Sequence, residues 1–175
     1  MQDKLDEWFA EDFGKGDFTT LAVVDNKVCE AKVTGGPGVL SGLEICKTLL
    51  MQHGIEFNSE YSDGDTIVST LIFSLKGKSY DIMATERLLL NILSHFSGIS
   101  THTNNIVKIA KAVNPNVEIL ATRKTLPGLR AFEKEAVVHG GGQTHRMRLD
   151  DALLVKDNHL KLSQGIENAI KSCRA

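Results

Sequence analysis

Residues 117–121, Val-Glu-Ile-Leu-Ala, have the apolar, β-branched character of a strand, and residues 152–155, Ala-Leu-Leu-Val, form a second apolar run short enough to be a buried parallel strand. Between them a helix is expected, opening near Pro127 and closing at Gly140, with Leu129, Phe132 and Ala136 along one face. Proline suits a helix start because its missing N–H has no partner there anyway, and glycine suits the stop. Strand, helix and strand in this order predict parallel pairing and part of an α/β barrel.

Both strands run directly into cations. Thr122-Arg123-Lys124 follows the first and Lys156-Asp157-Asn158-His159 the second. Parallel strands send their C-terminal ends to one face, where α/β barrels assemble their sites, so Arg123, Lys124 and Lys156 are expected to converge. Gly140-Gly141-Gly142, which permits close backbone approach, and His145-Arg146 lie between them. From Arg123 to Arg148 six Lys or Arg stand against two acids, inside a chain of formal net charge -2. Arginine offers a planar fork for carboxylate or phosphate, lysine a compact charge and His145 a titratable donor. The set suits a small substrate with several anionic groups.

The first half reads differently. Leu5, Trp8 and Phe9 share a helix face, and Gly14-Lys15-Gly16-Asp17 ends it. Residues 28–34 alternate as a half-buried strand, 43–53 form a helix stopped at Gly54, and Lys76-Gly77-Lys78 is read as a turn between strands 66–74 and 79–83. Thr85 is expected to cap a helix over 86–97. A second helix over 101–113 stops at Asn114-Pro115-Asn116, and another lies near 165–172. The fold class expected is α/β, with an N-terminal α+β sandwich-like domain (residues 1–100, including a bridging helix) and an incomplete α/β barrel (101–175). A whole barrel typically takes about 250 residues.

Composition narrows the function. Twenty basic against 22 acidic residues and a pI near 6.3 give no nucleic-acid signature. No apolar run is long enough to span a membrane and the start is not a secretory signal, so the expected location is cytoplasmic. Cys29, Cys46 and Cys173 read as ordinary thiols, and the six histidines lack zinc spacing. No Walker loop or full dinucleotide fingerprint is present.

The Thr122-Arg123-Lys124-Thr125-Leu126-Pro127-Gly128 block resembles that of the quinolinate phosphoribosyltransferases. So do Gly16-Asp17-Phe18-Thr19-Thr20, Glu86-Arg87 with Asn91, Ser97-Gly98-Ile99-Ser100-Thr101, Glu133-Lys134, Ala136-Val137, the three glycines, His145-Arg146 and Lys156-Asp157-Asn158-His159. The resemblance implies joining of quinolinate to phosphoribosyl pyrophosphate, with loss of pyrophosphate and carbon dioxide and with Mg2+ on the phosphates. It implies that Arg123, Arg146 and Lys156 grip the two carboxylates, with Thr122 and His145 beside them, and that Lys124 is catalytic between acid and donor. Arg87 would be lent across a homodimer interface.

Two departures stand out: Thr144 replaces the family's asparagine before His-Arg, and Ser100 replaces an alanine. The family's later acidic residues and phosphate loops have no counterpart here, so the 175-residue form alone is expected to bind quinolinate weakly at most and to form no nicotinate mononucleotide. Two alternatives stay open. One is the related protein encoded with molybdenum transport, which tends to lose the Lys-Asp-Asn-His ending kept here. The other is a non-catalytic binding or assembly fragment. Residue by residue, Arg123-Lys124 could be a solvated turn, Arg87 plain surface, and Asp17 and Thr19 caps of a turn.

Overall fold

The computed structural model describes residues 2–174. In chain order it begins with helices α1 (Gln2–Phe13) and α2 (Phe18–Val23), strands β1 (Val28–Thr34) and β2 (Gly38–Val39), and helix α3 (Leu43–Gln52). Strands β3 (Glu56–Asn58), β4 (Thr66–Ile67) and β5 (Leu71–Lys78) lead into the long helix α4 (Ser79–Val113). Then come β6 (Leu120–Ala121), α5 (Arg130–His139), β7 (Gln143–Thr144), α6 (Asp157–Leu162) and α7 (Ile166–Arg174).

The N-terminal half is an α+β layer. β1, β5 and β3 form an antiparallel sheet in that order, and β2 pairs antiparallel with β4. Along β1, Cys29, Ala31 and Val33 turn inward while the residues between them face solvent, as the period-2 pattern requires. The core forms where the sheet meets α3 and α4: Leu43, Cys46, Leu49, Leu50, Phe73 and Leu89 are all fully buried. Burial pushes the Cys46 thiol well above its usual range, while Cys29 is half-buried and Cys173 exposed. Asp17 caps α2 by accepting the Thr20 N–H at 2.9 Å.

Several boundaries differ from the sequence reading, each for a local reason. The two helices expected over 86–97 and 101–113 are one, α4, because Gly98 is tolerated on its exposed side. Thr85 does not cap; it is buried inside α4 and its hydroxyl donates to Asp81 O. Residues 76–78 are not a turn. They complete β5, where Gly77 pairs with Cys29 and leaves room for Ile55, whose Cγ1 would stand 3.1 Å from an added Cβ. The break in this region falls at Val68 and Ser69, whose N–H groups donate to the Tyr61 hydroxyl, and residues 79–83 are helical.

In the second half β6 and β7 pair in parallel, Leu120 with Gln143 and Ala121 with Thr144, with α5 as the crossover. α5 starts at Arg130 rather than near Pro127, because Gly128 has φ +84 and cannot be helical. Residues 152–155, expected to be a buried strand, are exposed and unpaired: among the described residues no strand lies beside them to complete a ladder. α5 docks on α4 and the core through Phe132, whose ring lies 5.3 Å from Trp8 and 5.9 Å from Phe96. The helices meet through small residues. Ser100 Oγ donates to Ala136 O at 2.7 Å, and a Cβ on Gly140 would stand 2.4 Å from Ser100 O and 2.7 Å from Thr103 Cβ.

The close approach permitted by the three-glycine run is therefore made to α4. A paired measurement checks this. Gly140→Ala should destabilise the protein by about 1–3 kcal/mol through overpacking, since its φ of -76 carries no backbone strain. Gly98→Ala, with nothing within 4 Å of its Cβ, should stabilise by roughly 0.5–1 kcal/mol. Denaturant midpoints moving in the same direction for both would refute the close-packed crossing.

Candidate functional site

At the tip of β6 the chain turns sharply, and the Lys124 N–H donates to Thr122 Oγ1 at 3.2 Å. Farther on, the Leu126 N–H donates to Glu133 Oε2 at 3.1 Å and Arg130 Nε to Thr125 Oγ1 at 3.2 Å. Residues 122–129 are thus a loop held by the first turn of α5. Beyond β7 a second loop carries His145 and Arg146. The Asp151 carboxylate holds it by accepting the Met147 and Arg148 N–H groups at 2.5 and 3.0 Å, and Arg130 Nη1 donates to Met147 O at 3.0 Å.

These two loops bound a cleft of about 490 Å3, lined by Leu120, Thr122, Arg123, Lys124, His145, Arg146, Leu154 and Lys156. Six of the seven residues singled out in the sequence therefore meet in one place, with no carboxylate in the lining. The seventh, Arg87, lies exposed on α4 and outside the cleft. Lys124 and Thr122 also border a second cleft of about 710 Å3, which includes His95, Glu133 and Lys134.

The electrostatics are those of an anion site. Among the described residues, no carboxylate lies within 4.0 Å of the cationic nitrogens of Arg123, Lys124, Arg146 or Lys156. The Arg123 Nε is buried with no hydrogen-bond acceptor. A buried donor without a partner costs on the order of 1–3 kcal/mol, so this guanidinium is under-satisfied in the folded chain. Arg146 Nη1 donates to Ala152 O at 2.9 Å, so that side chain also anchors the exposed segment. His159, in the first turn of α6, accepts the Lys156 N–H on its Nδ1 at 3.0 Å.

Two residues that shape the site had no assigned role in the sequence reading. Lys134, only 1% exposed, directs its amine at Ala121 O (3.1 Å), His145 O (2.8 Å) and Arg146 O (2.8 Å). Burial, with the Arg130 charge second, holds its pKa below the usual lysine range. Glu133, its neighbour, accepts from Leu126 N and pairs with His95 Nε2 at 3.0 Å. The available signal was the Glu133-Lys134 pair itself, set beside the apolar stripe of Phe132 and Ala136.

No helix of the described residues is long and apolar enough to cross a membrane, and none of their His, Cys, Asp and Glu side chains cluster in threes as a metal site.

Residues 17–97 match the family described as quinolinate phosphoribosyl transferase, N-terminal domain, and residues 99–175 its C-terminal domain. The chain is 39% identical over 177 residues to a probable nicotinate-nucleotide pyrophosphorylase [carboxylating] of Methanothermobacter thermautotrophicus, covering 99% of this chain and 63% of that one. It is 44% identical over 161 residues to the protein of that name in Archaeoglobus fulgidus, covering 91% and 62%. Among solved structures, NadC from Streptococcus pyogenes superposes with a TM-score of 0.90 at 32% identity, covering 99% of this chain and 64% of that one. The nicotinate-nucleotide pyrophosphorylase from Francisella tularensis gives 0.91 at 34%, covering 98% and 62%. The chain thus spans a little under two thirds of these relatives, and its second half is part of an α/β barrel.

Asp151 gives a pH test of the Arg146 loop. The Arg148 N–H, then that of Met147, holds its carboxyl below the usual range. With the folded pKa depressed, the turn's stabilisation is complete above the ordinary carboxylate value of about 3.9 and lost only as pH falls through the lower folded value. In an amide NMR titration Met147 and Arg148 should keep their native shifts below about pH 3.9. Loss of both at or above that pH would contradict the hydrogen bonds described.

Proposed function

The chain belongs to the quinolinate phosphoribosyl transferase family, and we propose on that footing that it serves NAD synthesis. The reaction joins quinolinate to phosphoribosyl pyrophosphate and yields nicotinate mononucleotide, pyrophosphate and carbon dioxide. The observation that carries the reading is the cleft in which Arg123, Lys124, Arg146 and Lys156 stand without a carboxylate partner among the described residues.

In this reading Arg123, Arg146 and Lys156 hold the two carboxylates of quinolinate, with Thr122 and His145 donating at its edge. Lys124, bordering both clefts, lies between the acid and the phosphoribosyl donor and is the catalytic side chain on this chain. Transfer of a ribosyl group through a cation-like centre gains chiefly from positioning and preorganised charge. The same cations steady the departing pyrophosphate, and decarboxylation follows once ribosylation has made the ring nitrogen positive.

Mg2+ supplies charge neutralisation on the donor's phosphates. It would be held mainly by the donor's own phosphate oxygens. Residues 1–100 and 101–175 are the covering domain and the first part of the barrel, and two copies pair so that Arg87 of each reaches the cleft of the other. The location proposed is the cytoplasm.

Calorimetry with quinolinate and nicotinate tests the assignment. Nicotinate lacks one carboxylate and leaves part of the clamp unpaired, a loss of roughly 2–5 kcal/mol for a buried charge-assisted pair and less for exposed Lys156. Quinolinate should bind at least about tenfold more tightly, which is about 1.4 kcal/mol. Equal affinities would remove quinolinate as the substrate.

Arg146→Ala should weaken quinolinate binding by a further order of magnitude or more, about 1.4 kcal/mol upward, while phosphoribosyl pyrophosphate binding changes little. Equal losses for both ligands would take Arg146 out of the carboxylate grip.

A further inference from the structure

Two loops from different strand tips make the cleft, and one buried amine touches the backbone of both. Lys134 Nζ donates to Ala121 O, the last residue of β6, and to His145 O and Arg146 O beyond β7. The carbonyls belong to the residue just before Thr122-Arg123-Lys124 and to the two cleft residues His145 and Arg146 themselves. An ammonium has three N–H donors, so the three contacts use its full capacity. Its own charge has no carboxylate within 4.0 Å among the described residues, and it is absent from the lining of the cationic cleft.

We propose that Lys134 is a positioning residue for this site: its amine fixes the separation of the β6 and β7 tips, and with it the spacing of Arg123 and Lys124 from His145 and Arg146.

The adjoining Glu133 completes the arrangement from the same turn of α5, since its carboxylate fixes the Leu126 N–H farther along the first loop. One helical turn thus holds both loops, and α5 is seated on α4 by the Ser100 contact to Ala136 O. A planar dicarboxylate bound by forks from two loops is sensitive to their separation, because the forks must keep hydrogen-bond distance to both carboxylates at once, and a misplacement of about 1 Å can cost on the order of 100-fold in rate. Lysine meets the requirement because a compact ammonium can gather three carbonyls, where a planar guanidinium would spread them. Burial holds this amine's pKa low, yet the three carbonyls are acceptors that only a donor-rich group satisfies.

The test uses Lys134→Met, which keeps the stem and removes the donors, and its ligand-binding arm rests on the function proposed above. Amide exchange is followed at Lys124 and Leu126 in the first loop, at Met147 in the second, and along β1 and β5 as an internal control. The variant should retain a cooperative melt, exchange at least tenfold faster in both loops and no faster in β1 and β5, and bind quinolinate at least tenfold more weakly. Unchanged exchange in either loop, or looser loops with unchanged quinolinate affinity, would overturn the proposal. If wild-type protein does not bind quinolinate, the functional reading fails and the exchange pattern decides the positioning role alone.

Should Lys134→Met not fold, the wild-type protein answers instead through the 15N-labelled lysine ammonium signals. Lys134 should show slowly exchanging ammonium protons with couplings across hydrogen bonds to the carbonyl carbons of Ala121, His145 and Arg146. A freely rotating, rapidly exchanging ammonium would sink the idea.

Discussion

Ser100 Oγ reaches Ala136 O at 2.7 Å because Gly140 and Gly142 leave no side chain in the crossing of α4 and α5. That contact seats α5, and the seat decides where the first turn of α5 points. Glu133 and Lys134 then meet the loop backbones, and the loops in turn display the cations. Ser100 is fully buried, and its Oγ also lies 3.1 Å from Phe96 O, so its single hydroxyl proton is shared between two carbonyls. A buried hydroxyl is tolerable only when so paired.

The cleft concentrates charge that the folded chain does not neutralise for itself. Holding Arg123, Lys124, Arg146 and Lys156 around one cavity is unfavourable through mutual repulsion, and the solvent reaching Lys124 and Lys156 relieves part of it. Acids are present nearby but engaged elsewhere. Glu133 is taken up by Leu126 N and His95, and Asp151 by two N–H groups, which leaves the cleft free for an external anion. Such an arrangement trades some folding free energy for a preorganised site.

The cationic tips were legible in the sequence because residue type and position carried the information together. Arg123 and Lys124 follow an apolar strand, His145 and Arg146 follow a glycine run, and parallel topology brings such ends together. The antiparallel layer was legible in part: β1 alternated plainly, whereas Gly77 looked like a turn because its role is to admit Ile55 across the sheet. The single helix α4 was hidden by Gly98, which punctuates a pattern without breaking hydrogen bonds. Residues 152–155 show the limit of apolar runs as evidence, since a strand needs a neighbour and composition cannot supply one. Lys134 was illegible for the opposite reason. A lysine on an amphipathic helix reads as solvent-facing, and only the carbonyls arranged around it reveal otherwise.

α4 is one uninterrupted helix of 35 residues, so it works as a ruler as well as a support. Arg87 lies thirteen positions before the Ser100 crossing, a rise of about 20 Å at 1.5 Å per residue, farther than an arginine side chain extends. The same rod that brings α5 close carries Arg87 off in the other direction. Whatever anion Arg87 meets, its distance from the α5 crossing is set by a count of peptide units, and a deletion of one residue between positions 87 and 100 would swing it about 100° around the axis, a consequence of 3.6 residues per turn.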